Sequence, residues 1–133
     1  MWQTIGQTKI ITLAEKAIKK GKFAQAFLLV GRKHIGKKTL ALDLARALNC
    51  HGEKPPCSKC QPCTRISNGN HADTVVLSID SPDILEDDKE RTKIGIKKIQ
   101  YLQNMAGLPP FEAKFKILII DCAEDMSNEA ANC

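Results

Sequence analysis

The stretch Gly31-Arg32-Lys33-His34-Ile35-Gly36-Lys37 constrains this chain more than any other. It satisfies G-x-x-x-x-G-K, follows the apolar run Ala26-Phe27-Leu28-Leu29-Val30, and opens a helical pattern. A strand, a glycine-rich turn and a helix in that order aim backbone N–H groups at phosphate oxygens. The helix N-terminus and the Lys37 ammonium add positive charge at the same point. The run before the loop has no polar alternation, which suits a strand buried on both faces of a parallel sheet.

The rest of the chain keeps that rhythm. Ile10, Leu13, Ala14, Ala17 and Ile18 form one apolar face of a helix, with core packing expected along it. Lys19 and Lys20 complement its C-terminal dipole, and Gly21 supplies a left-handed cap. Residues 37–49 predict a second helix with Leu40, Leu44 and Leu48 on one side and Asp43 and Arg46 turned to solvent. Strands are expected at 26–31, at the β-branched stretch 74–79, and at 115–121, which ends in Asp121. Between the last two lie a solvated acidic loop (Asp80, Asp83, Glu86, Asp87, Asp88) and a third helix marked by Ile96, Ile99, Leu102 and Ala106. Gly107 and Pro109-Pro110 close that helix. Helices alternating with apolar strands predict an α/β layered fold with a mainly parallel sheet, and 133 residues suit one domain without internal repeats.

No run reaches the length of a membrane span, and the N-terminal MWQTIGQTKI lacks a signal-peptide core, so the expected location is cytoplasmic with no membrane partner. Thiols stay reduced there, and six cysteines read as metal ligands or free thiols rather than disulfides. Cys50, Cys57, Cys60 and Cys63 give C-x6-C-x2-C-x2-C, four soft ligands with no open position, hence a structural zinc module over about 50–66. Its last three cysteines also copy a ferredoxin-type run, but the fourth position there is Ser67, followed by Asn68 rather than proline. Cys133 matches no ligand spacing, and His34, His51 and His71 are expected on the surface or in loops. Four zinc-bound thiolates lower the formal charge of +5 to about +3, a mild excess that does not by itself indicate nucleic acid.

The phosphate loop carries a defect. Lys38 stands where a Ser or Thr hydroxyl would hold Mg²⁺, and it offers no acceptor and a repelling charge. Thr39 is one residue late, about 100° round the helix. Asp121 suits the acid that supports the metal, but Cys122 follows it where a water-orienting glutamate would be needed. Gly31, Gly36, Lys37, Lys38, Thr39 and Asp121 therefore form a degenerate nucleotide site. Either it binds ATP poorly or it binds without productive Mg²⁺, and no catalytic residue is assigned.

These residues, taken with Ile5-Gly6-Gln7, Asn70-His71-Ala72-Asp73, Ile94-Gly95-Ile96 and Met126 to Asn132, resemble the opening of bacterial DNA polymerase III clamp-loader subunits. The four-cysteine insertion directly after the loop helix is the most specific shared mark. The resemblance covers essentially the whole chain. It implies a P-loop NTPase of the AAA+ type, a three-layer parallel sheet in the order 5-1-4-3-2, and a role in loading the sliding clamp onto primed DNA. Lys38 and Cys122 depart from the ATP-hydrolysing gamma/tau pattern and match the delta-prime branch. Such a subunit is a non-hydrolysing member of the DNA-directed DNA polymerase holoenzyme, with gamma/tau and delta as partners. The alternatives are a gamma/tau-like motor and a free-standing zinc-ribbon nucleic-acid binder. Lys93, Lys97 and Lys98 on the third helix are read as a solvated basic face rather than a DNA contact.

The resemblance also implies that residues 1–133 are the front part of the domain, with only three of five strands present. The missing fourth strand would lie between the first and third. Those two are expected to pair directly or to leave a gap filled by another molecule, because buried backbone does not tolerate unpaired edges. A helix begun at Ser127 is expected to end within a turn or two, with Cys133 frayed.

Overall fold

Helices form where the apolar period and a stop signal coincide. In a computed structural model that describes residues 1–81 and 92–133, the chain divides into two compact units, Met1–His71 and Ala72–Cys133. The acidic positions Asp83, Glu86, Asp87 and Asp88 lie outside the described residues; Asp80 is exposed. No helix among the described residues is long and apolar enough to cross a membrane.

The first unit is helical. Helix α1 (Thr8–Lys19) ends as expected, with Lys16 and Lys19 in its last turn and Gly21 at φ 62°. Its apolar face is only partly covered, which corrects the expectation of core packing. Ala14 is buried, but Leu13 is 70% exposed and Ile10 is 42% exposed. Helix α2 (Lys37–Asn49) has the predicted bounds and buries Leu40, Ala45 and Ala47. Helix α3 (Gln61–Ser67) was not expected; Pro62 sits in its first turn, where a missing N–H costs nothing.

Two charges reverse their predicted placement. Asp43 and Arg46 are both buried, not solvated. Asp43 Oδ2 accepts from Gln3 N at 2.8 Å, Thr4 N at 2.8 Å and Thr4 Oγ1 at 2.7 Å. Its Oδ1 takes a close ion pair from Arg46 Nη2. Such donors lie remote in sequence, so a helical period cannot reveal them. Trp2 Nε1 adds a bond to Glu15 Oε1 at 3.0 Å, holding the N-terminal segment against α1 as well.

The expected first strand does not form. Residues 26–31 have no ladder partner among the described residues, and Phe27, Leu28 and Val30 are exposed, Leu28 at 81%. A β-strand is defined by the neighbour that takes its N–H and C=O groups, and apolar composition alone does not supply one. Among the described residues the sheet has two strands, fewer than the three expected.

Those two belong to the second unit. Strands β1 (Thr74–Leu77) and β2 (Ile117–Ile120) pair in parallel, with Thr74 opposite Ile117 and Leu77 opposite Ile120. Between them runs α4 (Ile96–Ala106), which ends before Gly107 as expected but starts after Lys93, read as part of it. Leu77, Ile94, Ile99, Leu102 and Ala130 form the core, with Val75, Ile79, Leu118 and Met126 packed on it. Ser127 caps α5 (Asn128–Ala131), its hydroxyl accepting from Ala130 N at 3.2 Å. Lys98 is buried rather than solvated, its Nζ donating to Ile79 O at 3.2 Å, and His71 lies in the expected loop, though buried there.

Asp73 ties the loop before β2 to the start of β1. Its carboxylate accepts from Phe111 N at 2.7 Å, Glu112 N at 2.8 Å and Ala113 N at 2.9 Å. Burial pushes this carboxyl up, but the three N–H donors and the Lys116 charge outweigh it and hold the group below its ordinary range. A carboxyl depressed on folding contributes stability above its unfolded value and loses it as pH falls through the folded value. We predict that wild-type stability falls below about pH 4. Asp73→Asn should be destabilised by about 1–3 kcal/mol at pH 7 and show a smaller acid dependence. Urea denaturation from pH 7 to pH 3 checks both.

Candidate metal centre and phosphate loop

The cysteine cluster is built from the end of one helix and the start of the next. Cys50 follows the last residue of α2 in extended conformation, and Cys60 is the N-cap of α3, which carries Cys63 on its first turn. Cys57 lies in the loop between, followed by Ser58 at φ 60°. The four sulfurs lie within 4.8 Å of one another, and the Cys50 and Cys60 sulfurs are 4.0 Å apart. A tetrahedral ion with bonds near 2.3 Å asks for sulfurs about 3.8 Å apart, so this donor set can hold a metal such as zinc with small adjustment.

The surroundings treat the four thiols unequally. Gly52 N and Cys57 N point at Cys50 Sγ from 3.2 and 3.3 Å, and Cys60 N points at Cys57 Sγ from 3.3 Å. The Cys57 thiol is lowered to about 6, chiefly by the backbone N–H groups of Lys59 and then Cys60. Burial pushes the Cys63 thiol up to about 12. Without a metal, Cys57 is thus the ready thiolate and Cys63 the reluctant one, which a dication would have to deprotonate. All four predicted ligands come together, whereas Cys122 and Cys133 are exposed and outside the cluster.

Sequence reasoning missed Gly52. A Cβ there would stand 2.8 Å from Cys57 Cβ and 3.1 Å from Cys57 Sγ, so only glycine lets the loop close over the thiols. A glycine two residues after a ligand was the available signal.

The loop from Gly31 to Lys37 turns into α2 at its second glycine. Gly36, the N-cap of α2, sits at φ 88°, and no side chain caps the helix. A helix start of this kind turns N–H groups and partial positive charge toward an anion. Lys37 Nζ donates to Gly31 O and Arg32 O, both at 2.8 Å, so the ammonium folds back on its own loop and must leave it to reach a phosphate. Lys38 is exposed and Thr39 half-buried, neither giving a carboxylate or hydroxyl in the position required for Mg²⁺. The residues fit a phosphate but not its metal. In the second unit, Asp121 follows β2 and Cys122 stands at φ 56° with its thiol exposed. The Asp121 charge first, then burial and the charges of Glu124 and Asp125, push that thiol up, so it stays protonated and cannot serve as a base at neutral pH.

A small parallel sheet, the helices before and between its strands in sequence, and a four-cysteine cluster that can hold a metal define a mixed α/β protein. The chain belongs to the family described as DNA polymerase III, delta subunit, which it matches over residues 6–133. It is 36% identical over 129 residues to the Bacillus subtilis (strain 168) DNA polymerase III subunit delta', covering 95% of this chain and 36% of that protein. It is 30% identical over 130 residues to the Haemophilus influenzae tau/gamma subunit, covering 96% of this chain and 17% of that protein. Against a Buchnera aphidicola (subsp. Baizongia pistaciae) gamma subunit the identity is 33% over 130 residues, covering 96% of this chain and 32% of that protein. The chain thus spans about a third or less of the length of these relatives.

Gly52→Ala should overpack the cluster and destabilise the first unit by about 1–3 kcal/mol. The urea midpoint, read from the Trp2 fluorescence, is the measurement, and an unchanged midpoint would show that the loop closes without need of glycine.

Proposed function

We propose that this chain is the N-terminal part of an AAA+ clamp-loader subunit of the delta-prime type, acting in DNA replication beside ATP-bearing subunits without hydrolysing ATP. The observation that carries the reading is Gly36 at φ 88° opening α2 within the G-x-x-x-x-G-K pattern, with Lys38 where that pattern continues with Ser or Thr. Cys122 in place of a water-orienting acid removes a second part of the same chemistry. Gly31, Gly36, Lys37, Lys38, Thr39 and Asp121 remain the candidate nucleotide residues, with Lys37 as the phosphate contact.

The exposed apolar side chains of Phe27, Leu28 and Val30 support placing residues 26–31 as a strand of a larger parallel sheet. The partners on this reading are gamma/tau and delta subunits, with the sliding clamp and primed DNA reached through the assembly. One observation favours a gamma/tau-like motor instead: the tau/gamma and gamma relatives are nearly as similar as delta'. Steady-state ATP turnover separates the two. No turnover above background is expected, with or without primed DNA. Turnover that vanishes in Lys37→Ala would replace the delta-prime reading with the motor.

Zinc is the metal this reading assigns to Cys50, Cys57, Cys60 and Cys63. Closed by four thiolates with no open position, it would supply folding energy and no Lewis-acid chemistry. The purified protein should be colourless and contain one zinc, which Cys57→Ser with Cys60→Ser should abolish. Iron on metal analysis, or zinc retained in the double variant, would contradict the assignment. Chelation should raise amide exchange in residues 50–66 and leave β1 and β2 protected.

A further inference from the structure

The metal cluster and the start of the chain share one buried pair of charges. Asp43 and Arg46 are 0% and 1% exposed. Asp43 Oδ2 is committed to the Gln3 and Thr4 amides and the Thr4 hydroxyl, and its Oδ1 to Arg46 Nη2. The other end of the guanidinium faces the cysteine module. Nη1 reaches Ser67 Oγ on α3 at 3.3 Å and Ser58 Oγ, in the turn between Cys57 and Cys60, at 3.5 Å.

Ser67 Oγ in turn donates to Cys63 O at 2.9 Å, and Cys63 Sγ donates to Arg46 O at 3.7 Å. Ser58 Oγ also donates to Met1 O at 3.2 Å. Cys63 is therefore held by Arg46 twice, through the backbone carbonyl and through Ser67. A metal displaces the Cys63 proton and with it the Sγ–O contact, which leaves the guanidinium relay as the hold that Arg46 keeps on that ligand.

We propose that Arg46 and Asp43 are positioning residues of the four-cysteine metal site, coupling metal binding to the docking of residues 1–4. The proposal rests on the metal reading above. Its physical basis is the cost of a half-made pair. If the module loosens, Arg46 loses its serines; if the N-terminal segment lifts, Asp43 loses three donors. Either event leaves a charge buried with unmet bonds, so the two ends order together. Coupling of this kind is reciprocal: metal tightens the N-terminal segment, and the docked segment tightens metal binding.

The test is a cobalt(II) titration of the full chain, read from the thiolate-to-metal absorption band, with amide exchange measured in metal-loaded and chelated protein. Ser67→Ala cuts the relay at a solvent-exposed residue, so the fold is kept and no charge is stranded. It should weaken cobalt binding about tenfold. Thr4→Val, distant in sequence from every ligand, should weaken it about two- to fivefold. In wild type, the Gln3 and Thr4 amides should exchange about tenfold faster after chelation. Wild-type cobalt affinity in both variants, or N-terminal protection indifferent to metal, would overturn the coupling while leaving the metal site standing. A chain that takes up neither cobalt nor zinc overturns the metal reading and the coupling together.

Discussion

A carboxylate and a guanidinium taken out of water are tolerated only when nearly every donor and acceptor between them is used. Removing one partner of such a pair costs about 3–5 kcal/mol. In the first unit that pair is Asp43 and Arg46, placed one turn apart on the buried side of α2. Helix α2 starts at the phosphate loop and ends at Cys50, so its 13 residues set a rigid spacing of about 20 Å between loop and cluster. The pair fixes what surrounds that helix, namely the chain before α1 and the turn that carries Cys57. The apolar contribution here is modest, since Leu44 and Leu48 are half-buried and Leu13 lies open.

The second unit repeats the device with a single charge. Asp73 accepts three backbone N–H bonds from residues 111–113, as Asp43 accepts two from residues 3 and 4 with a hydroxyl between them. In both cases a carboxylate on or next to a regular element pins an irregular segment about forty residues away in sequence. Backbone amides are well suited to this, because a loop has N–H groups to spare and a carboxylate can accept several.

This explains which parts of the chain were legible in the sequence. Helix α2 was readable to the residue, and α4 at its end, because their period, caps and breakers are local. The cysteine cluster was readable because ligand spacing is a short-range geometric demand, and all four sulfurs meet. Asp43, Arg46 and Lys98 were misplaced for the opposite reason. A charge on a helix looks solvated until its partner is known, and theirs are main-chain amides, serine hydroxyls and the Ile79 carbonyl. Residues 26–31 failed on a related point, since apolar composition describes the faces of a strand and says nothing of its edges. Helix α3 escaped notice because seven residues beginning next to a proline show almost no periodicity.

The loop and the cluster also show why one kind of site survives substitution better than the other. Phosphate binding at a helix start is carried by main-chain N–H groups, and it needs only a backbone shape, here Gly36 in the left-handed region ahead of α2. Side chains along the loop can change without disturbing that shape. Metal positioning and water activation depend on individual side-chain atoms, and Lys38 and Cys122 supply neither an oxygen ligand nor a base. The four-cysteine cluster falls on the demanding side of the same division, because a metal held there would take each sulfur as a ligand with no backbone substitute. A chain can therefore keep the form of a phosphate loop after losing its chemistry, whereas a cluster missing one thiol would lose its closed shell of ligands.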